Sequence, residues 1–134
     1  MQWLIEQQVY YSDHPKEFLI DVLGFSPTRQ QCLILDSVCK AIKEKKGIAV
    51  KSGHGTGKTA IEAALIIWFI STRPYPKIIA TAPTQHQLYD VLWSELAKWH
   101  RNSKINRYFD WQKTHFFMRG KSEDWFAVAR TSNK

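Results

Sequence analysis

Ile48-Ala49-Val50-Lys51-Ser52-Gly53-His54-Gly55-Thr56-Gly57-Lys58-Thr59 is a short apolar run, then a glycine-rich turn closed by Gly-Lys-Thr, and helix-compatible sequence follows through residue 70. Strand, loop, helix is the order this predicts. Gly53, Gly55 and Gly57 free the backbone to wrap closely and aim several N–H donors inward. The loop also feeds a helix N-terminus, whose unpaired amides and positive dipole end favour anionic oxygens. A polyphosphate fits such a cradle. The general pattern G-x-x-x-x-G-K-[ST], the Walker A loop, is met from Gly57 onward, with Ser52 in the place of its first glycine. The expected ligand is therefore ATP with Mg²⁺, bound by Ser52, Gly53, His54, Gly55, Thr56, Gly57, Lys58 and Thr59. Lys58 reaches the β- and γ-phosphates, Thr59 offers its hydroxyl to the metal, and these two are also the expected catalytic residues. A chance Gly-Lys-Thr in a surface turn is the plainer alternative, and the flanking strand and helix patterns weigh against it. His54 has two readings, as a donor to a γ-phosphate oxygen or as a solvent-facing residue.

Working outward, residues 63–70 form the longest apolar run, far short of the roughly 18 to 20 residues that a bilayer-crossing helix needs. It reads as a buried helix, so no membrane partner is expected. Lys77-Ile78-Ile79-Ala80-Thr81-Ala82 reads as a second buried strand, ended by Pro83-Thr84. From Gln85 to about Trp99, the residues Leu88, Val91, Leu92, Leu96 and Trp99 make one apolar stripe at helical spacing, a core pattern. Strand, helix, strand, helix order favours an α/β fold whose first strands are parallel. Toward the other end, Ser26-Pro27-Thr28 opens a helix carrying Cys32, Leu35, Val38, Cys39 and Ile42. Before it, a lead-in helix is expected to start at Asp13 and Pro15 and to stop at Gly24. Beyond Asn102 the pattern weakens to short β-like runs at residues 115–118 and 125–129, read as a hairpin or two adjacent strands.

The 134 residues, 44% of them apolar, suit one domain with a real core. No internal repeat or linker divides them. Cys32 and Cys39 lack metal or redox spacing and read as small buried residues on one helix face. With no disulfide framework or secretion leader, a cytoplasmic location is expected. The formal charge of +7 is uneven, with six basic and six acidic residues in 1–47 against thirteen and six in 48–134. Lys98, Arg101, Lys104, Arg107, Lys113, Arg119 and Lys121 meet one acid, Asp110, and alternate with Trp99, Tyr108, Phe109, Trp111, Phe116 and Phe117. That composition fits a polyanion, with a solvated basic face over core aromatics as the competing reading.

Three stretches, Pro27-Thr28-Arg29-Gln30-Gln31, Ser52 to Thr59, and Ala80-Thr81-Ala82-Pro83-Thr84-Gln85-His86-Gln87, resemble the ordered motifs of helicase-like P-loop ATPases. Within that group, residues 82–87 with Val91-Leu92-Trp93-Ser94-Glu95-Leu96, and the lead-in of residues 15–24, look like the ATPase domain of a phage terminase large subunit, the DNA-packaging motor. The resemblance implies a P-loop NTPase-type sheet with flanking helices: a helical lead-in over 1–47 with an adenine-side motif, and core strands and helices over 48–134. It implies that Gln31, with Gln30 as its competitor, reads the adenine edge, since a carboxamide both donates and accepts. It also implies that Thr84, Gln85 and Gln87 couple nucleotide state to DNA contacts. A plain helix face and a plain strand-end turn are the alternatives. The implied partners are double-stranded DNA, a terminase small subunit and portal, and further copies of the chain, in the cytoplasm of a host cell.

The resemblance departs in two places. Many terminases carry an arginine inside the loop where this chain has His54. No apolar strand ends in Asp-Glu, the pair that would hold Mg²⁺ and polarise water. Leu33-Ile34-Leu35-Asp36 falls in a helix pattern and Glu123-Asp124 in a polar turn, and no carboxylate cluster of a nuclease domain is present. The expectation is an N-terminal portion of the ATPase domain, its hydrolytic carboxylates lying beyond Lys134. A helicase-like nucleic-acid-dependent ATPase, or a module that binds nucleotide or DNA without turnover, are the alternatives.

Overall fold

The apolar run of residues 63–70 becomes the middle of a helix, and every side chain of that run but the half-buried Leu65 is buried. The computed structural model describes residues 6, 9–53 and 58–131. Its elements are α1 (Pro15–Phe18), continued by a π-helical turn (Leu19–Leu23), then α2 (Arg29–Ala41), β1 (Gly47–Lys51), α3 (Lys58–Thr72) and β2 (Lys77–Thr81). A π-helical stretch (His86–Leu92) then runs into α4 (Trp93–Arg101), followed by β3 (Phe109–Trp111), β4 (His115–Met118) and β5 (Phe126–Ala129). In α3, Ile61, Ala63, Ala64, Ile66, Ile67, Trp68, Phe69 and Ile70 are all buried. A helix apolar on every side has to be sandwiched. It contacts β2 and β5 of the sheet, and α1, its π-helical continuation and α4 as well.

The five strands form one mixed sheet in the order β1-β2-β5-β4-β3. β1 pairs with β2 and β2 with β5 in parallel, whereas β5–β4 and β4–β3 are antiparallel. A parallel pair needs a crossover, and α3 supplies the one between β1 and β2. The two short β-like runs expected beyond residue 102 are β4 and β5, neighbours in the sheet. β3 carried no such signal, because three residues ending in a half-buried tryptophan leave too short a period to read. The fold is thus α/β, as the element order predicts.

Local chemistry sets the ends of the elements. Thr28 caps α2 through a reciprocal pair: its Oγ1 accepts the Gln31 N–H at 3.1 Å, and Gln31 Oε1 accepts the Thr28 N–H at 2.9 Å. Gly24 stops the lead-in helix at φ +70°, a left-handed conformation that costs glycine little. Asp13 does not start that helix. His14 holds the N-cap place without a capping side-chain bond, and Asp13 instead pairs with Lys43 at 3.4 Å. Cys32 and Cys39 are free and half-buried rather than buried. The stripe after Gln85 also shifts. A π-helical turn is wider than an α-turn, and Trp93, outside the expected spacing, is fully buried while Val91 and Trp99 are half-exposed.

Tryptophan N–H groups tie the layers together. Trp68 Nε1 donates to Tyr11 O at 2.7 Å, Trp125 Nε1 to Ile70 O at 2.8 Å, and Trp93 Nε1 to Gln112 O at 2.8 Å. Each ring thus buries its apolar body and still satisfies its one donor. His100, near the end of α4, does similar work. Its Nε2 lies 3.1 Å from Asn106 O and 3.0 Å from Phe109 O, and carbonyls only accept, so this nitrogen carries the proton. Burial pushes the His100 pKa below its ordinary 6.5, and the two carbonyls only partly oppose that shift.

Stability should depend on pH accordingly. The folded chain keeps His100 neutral, whereas an unfolded histidine takes a proton below about pH 6.5. Folding stability should be full above that value and fall as the solution is acidified toward the folded-state pKa, by at most about 1.4 kcal/mol per pH unit for this one group. Thermal melts from pH 7.5 to 5 should show the decline, and His100→Gln should flatten it. An unchanged slope in the variant would move the effect to another group.

Candidate functional site

β1 and β2 run parallel, so their carboxyl ends open on the same side, where ligands of α/β sheets bind. The pairing extends past the last strand residue, since the Ser52 N–H donates to Thr81 O at 2.7 Å. A cavity of about 370 Å³ lies at this place, lined by Lys51, Ser52, Gly53, Thr81, Ala82 and Pro83. Residues of two of the three motifs meet here. From the loop come Ser52 and Gly53, with Lys58 and Thr59 beginning α3; from the segment after β2 come Thr81, Ala82 and Pro83. His54, Gly55, Thr56 and Gly57 lie outside the described residues.

Ser52 is the hub. It is 3% exposed, its Oγ donates to Glu62 Oε1 at 2.8 Å, and it accepts from Gln87 Nε2 at 3.2 Å. Gln87 Nε2 also donates to Gly53 O at 3.0 Å, so a buried carboxamide on the helix after β2 grips the start of the loop. The backbone beneath Gln87 is fixed in turn, its N–H donating to Thr84 Oγ1 at 3.0 Å, a bond that settles one free amide of that helix. Gln85 is exposed. Glu62 stands four residues after Lys58, one turn along α3. Burial pushes its carboxyl above the ordinary range, while the Ser52 hydroxyl, a backbone hydrogen bond from Gly53 and the charge of Lys58 pull it back.

Lys58 is exposed at the head of α3 and makes no ion pair among the described residues. An exposed, unpaired ammonium on a helix N-terminus suits a polyphosphate. Among the described residues no group of three or more His, Cys, Asp or Glu could hold a metal alone. Thr59, half-buried in the first turn, has a hydroxyl of the right chemistry for such a metal. Gln31 is half-buried, and its carboxamide oxygen is engaged in the cap of α2. Leu33 to Asp36 lie within α2, and Glu123 and Asp124 occupy a turn before β5, so neither acid stands at a strand end.

Glu62 was not foreseen. It was visible as the only charged residue between Thr59 and Thr72, an acid inside an otherwise apolar helix, which calls for a buried partner. Farther along, the basic-aromatic stretch divides by burial. Phe109 and Phe116 are fully buried, and Trp111 donates its N–H to Trp93 O at 3.1 Å. Arg101, Lys104, Arg107 and Lys113 are exposed, whereas Arg119 grips Asp110 through two bonds of 3.0 and 2.7 Å. A second cavity, about 520 Å³, lies between α4 and β3 and includes Arg101, Trp111 and Arg119 in its lining.

No helix among the described residues is long and apolar enough to cross a membrane. No family model matches the chain, and no solved structure matches it. The chain is 32% identical over 103 residues to a probable terminase large subunit of Enterobacteria phage P7. The match covers 72% of this chain and 20% of that protein, so the chain spans about a fifth of its relative's length.

Proposed function

We propose that this chain is the nucleotide-binding part of a DNA-packaging ATPase of the terminase large-subunit type, a P-loop NTPase fold that binds ATP with Mg²⁺. One observation carries the reading: the parallel strands β1 and β2 end at a cavity lined by Ser52 and Gly53 of the glycine-rich stretch and by Thr81, Ala82 and Pro83, and Lys58, exposed and in no ion pair among the described residues, begins the next helix. The similarity to the phage P7 protein supports it independently. In this reading Lys58 neutralises phosphate charge, the glycine-rich residues 53–57 present backbone donors, Thr59 ligates the metal and Gln31 contacts the base. Bound Mg²⁺–ATP would supply the phosphoryl group and the metal's Lewis acidity. None of the five strands among the described residues ends in an acidic pair, so the reading assigns binding here and leaves the activation of water to carboxylates on another segment.

The same reading takes Thr84, Gln85 and Gln87 as the link from nucleotide to DNA. Gln87 touches the loop itself, and Gln85, two residues earlier, is exposed for a partner. The exposed basic residues Arg101, Lys104, Arg107 and Lys113 form the surface for duplex DNA, contacting phosphates without reading sequence. Small-subunit and portal partners, further copies of the chain, and a host-cytoplasmic setting belong to the same proposal. A helicase-like ATPase would use the same nucleotide elements and differ in the domain attached to them.

Two measurements test it. Titration with a fluorescent ATP analogue and Mg²⁺ should show saturable binding that Lys58→Ala weakens by at least about tenfold, the loss of one charge-assisted phosphate contact. Equal binding by the variant would remove the loop from the site. Duplex DNA should bind at low salt and weaken steeply as salt rises, and Arg107→Ala or Lys113→Ala should lower the salt slope by about one each. Salt-independent binding, or none, would remove the basic surface from the proposal.

A further inference from the structure

Resting on the nucleotide reading, we propose that Glu62 and Gln87 are a pair of positioning residues that clamp Ser52 and Gly53 from opposite sides and thereby set the shape of the phosphate loop. No ligand contact is needed for this role. Both act through the first two loop residues.

The geometry is that of a shared pin. Ser52 replaces the glycine of the general pattern, and its hydroxyl both donates to Glu62 and accepts from Gln87. Gln87 Nε2 spends its two protons on Ser52 Oγ and Gly53 O, while Glu62 receives a Gly53 backbone hydrogen bond besides that of Ser52. Gly53 is therefore held through its C=O by the helix after β2, and Ser52 beside it is held by both that helix and α3. A glycine has the widest backbone freedom of any residue, so a bond to its carbonyl removes conformations open to it otherwise. Three elements that are separate in sequence meet in these bonds: the end of β1, the first turns of α3 and the segment after β2.

A carboxylate is a costly choice for a half-buried place next to a phosphate site, because burial and nearby phosphate charge both oppose it. Its retention has a reason if its acceptor oxygens are needed to hold the loop. Glu62 also stands one helical turn from Lys58, where its charge steadies the ammonium when no phosphate is bound. A glutamine there would keep one acceptor oxygen and drop the charge. An alanine would release both loop residues.

Binding of a fluorescent ATP analogue with Mg²⁺ to the chain, beside melts of the ligand-free protein, tests the clamp. Glu62→Ala and Gln87→Ala should each raise Kd about tenfold, the worth of one well-made buried hydrogen bond. Glu62→Gln should recover binding to within about threefold of the parent. Ser52→Gly restores the general pattern and scarcely alters volume, yet should also weaken binding, because it removes the pin. Should Glu62→Ala fail to fold, Ser52→Gly and Gln87→Ala carry the test. If Lys58→Ala abolishes binding while Ser52→Gly and Gln87→Ala bind as the parent does, the clamp is wrong and the nucleotide reading stands. If Lys58→Ala binds normally, both fall together.

Discussion

Helix α3 must be buried over most of its surface, and most of the structure answers to that requirement. Its all-round apolar middle places the sheet against one flank and α1, the π-helical turn and α4 against the others. Removing water from eight such side chains is worth on the order of 1.5 to 3 kcal/mol for each large one, less for the alanines. Trp68 and Trp125 lock the arrangement through backbone carbonyls on different elements, so the helix is held in place as well as covered. A helix fixed along its length has a fixed head. Lys58, Thr59 and Glu62 inherit their positions from the burial of residues that never approach a ligand.

That dependence explains which parts of the molecule could be read in advance. Long periodic segments declare themselves, because burial repeats at 3.6 or 2 residues over several turns or pleats, as in α3 and β2. The lead-in helix and its glycine stop were legible for the same reason, since proline and a left-handed glycine act through local geometry alone. Trp93 was not, because its depth is set by a π-helical turn that shifts the spacing one residue at a time. β3 was invisible because its pairing partner, β4, decides it, and no stretch of three residues carries that information.

The candidate site divides similarly. Glycines, a lysine and a threonine in fixed order state a backbone requirement, so a phosphate loop can be proposed from spacing alone. The contacts of Gln87 and Glu62 cannot. Residues 52 and 87 are 35 apart, and only the parallel pairing of β1 with β2 brings them together. Gln87 stood in a motif by resemblance, with an implied coupling role; the structure adds a bond to the loop itself at Gly53. A resemblance can mark a residue as worth attention without saying which atom it touches.

Ser52 shows why a departure from a motif is worth physical scrutiny. Taken by itself it is a small residue that tolerates a turn, and a glycine would serve. In the folded chain its hydroxyl lies 2.8 Å from a carboxylate and 3.2 Å from a carboxamide, and both would lose a shared partner if it were absent. A hydrogen bond of this kind contributes about 0.5 to 1.5 kcal/mol, and Ser52 makes two of them, to Glu62 and to Gln87. The substitution and its two partners therefore form one unit. Within that unit, rigidity at the start of the loop comes from side chains, where the general pattern leaves it to the backbone.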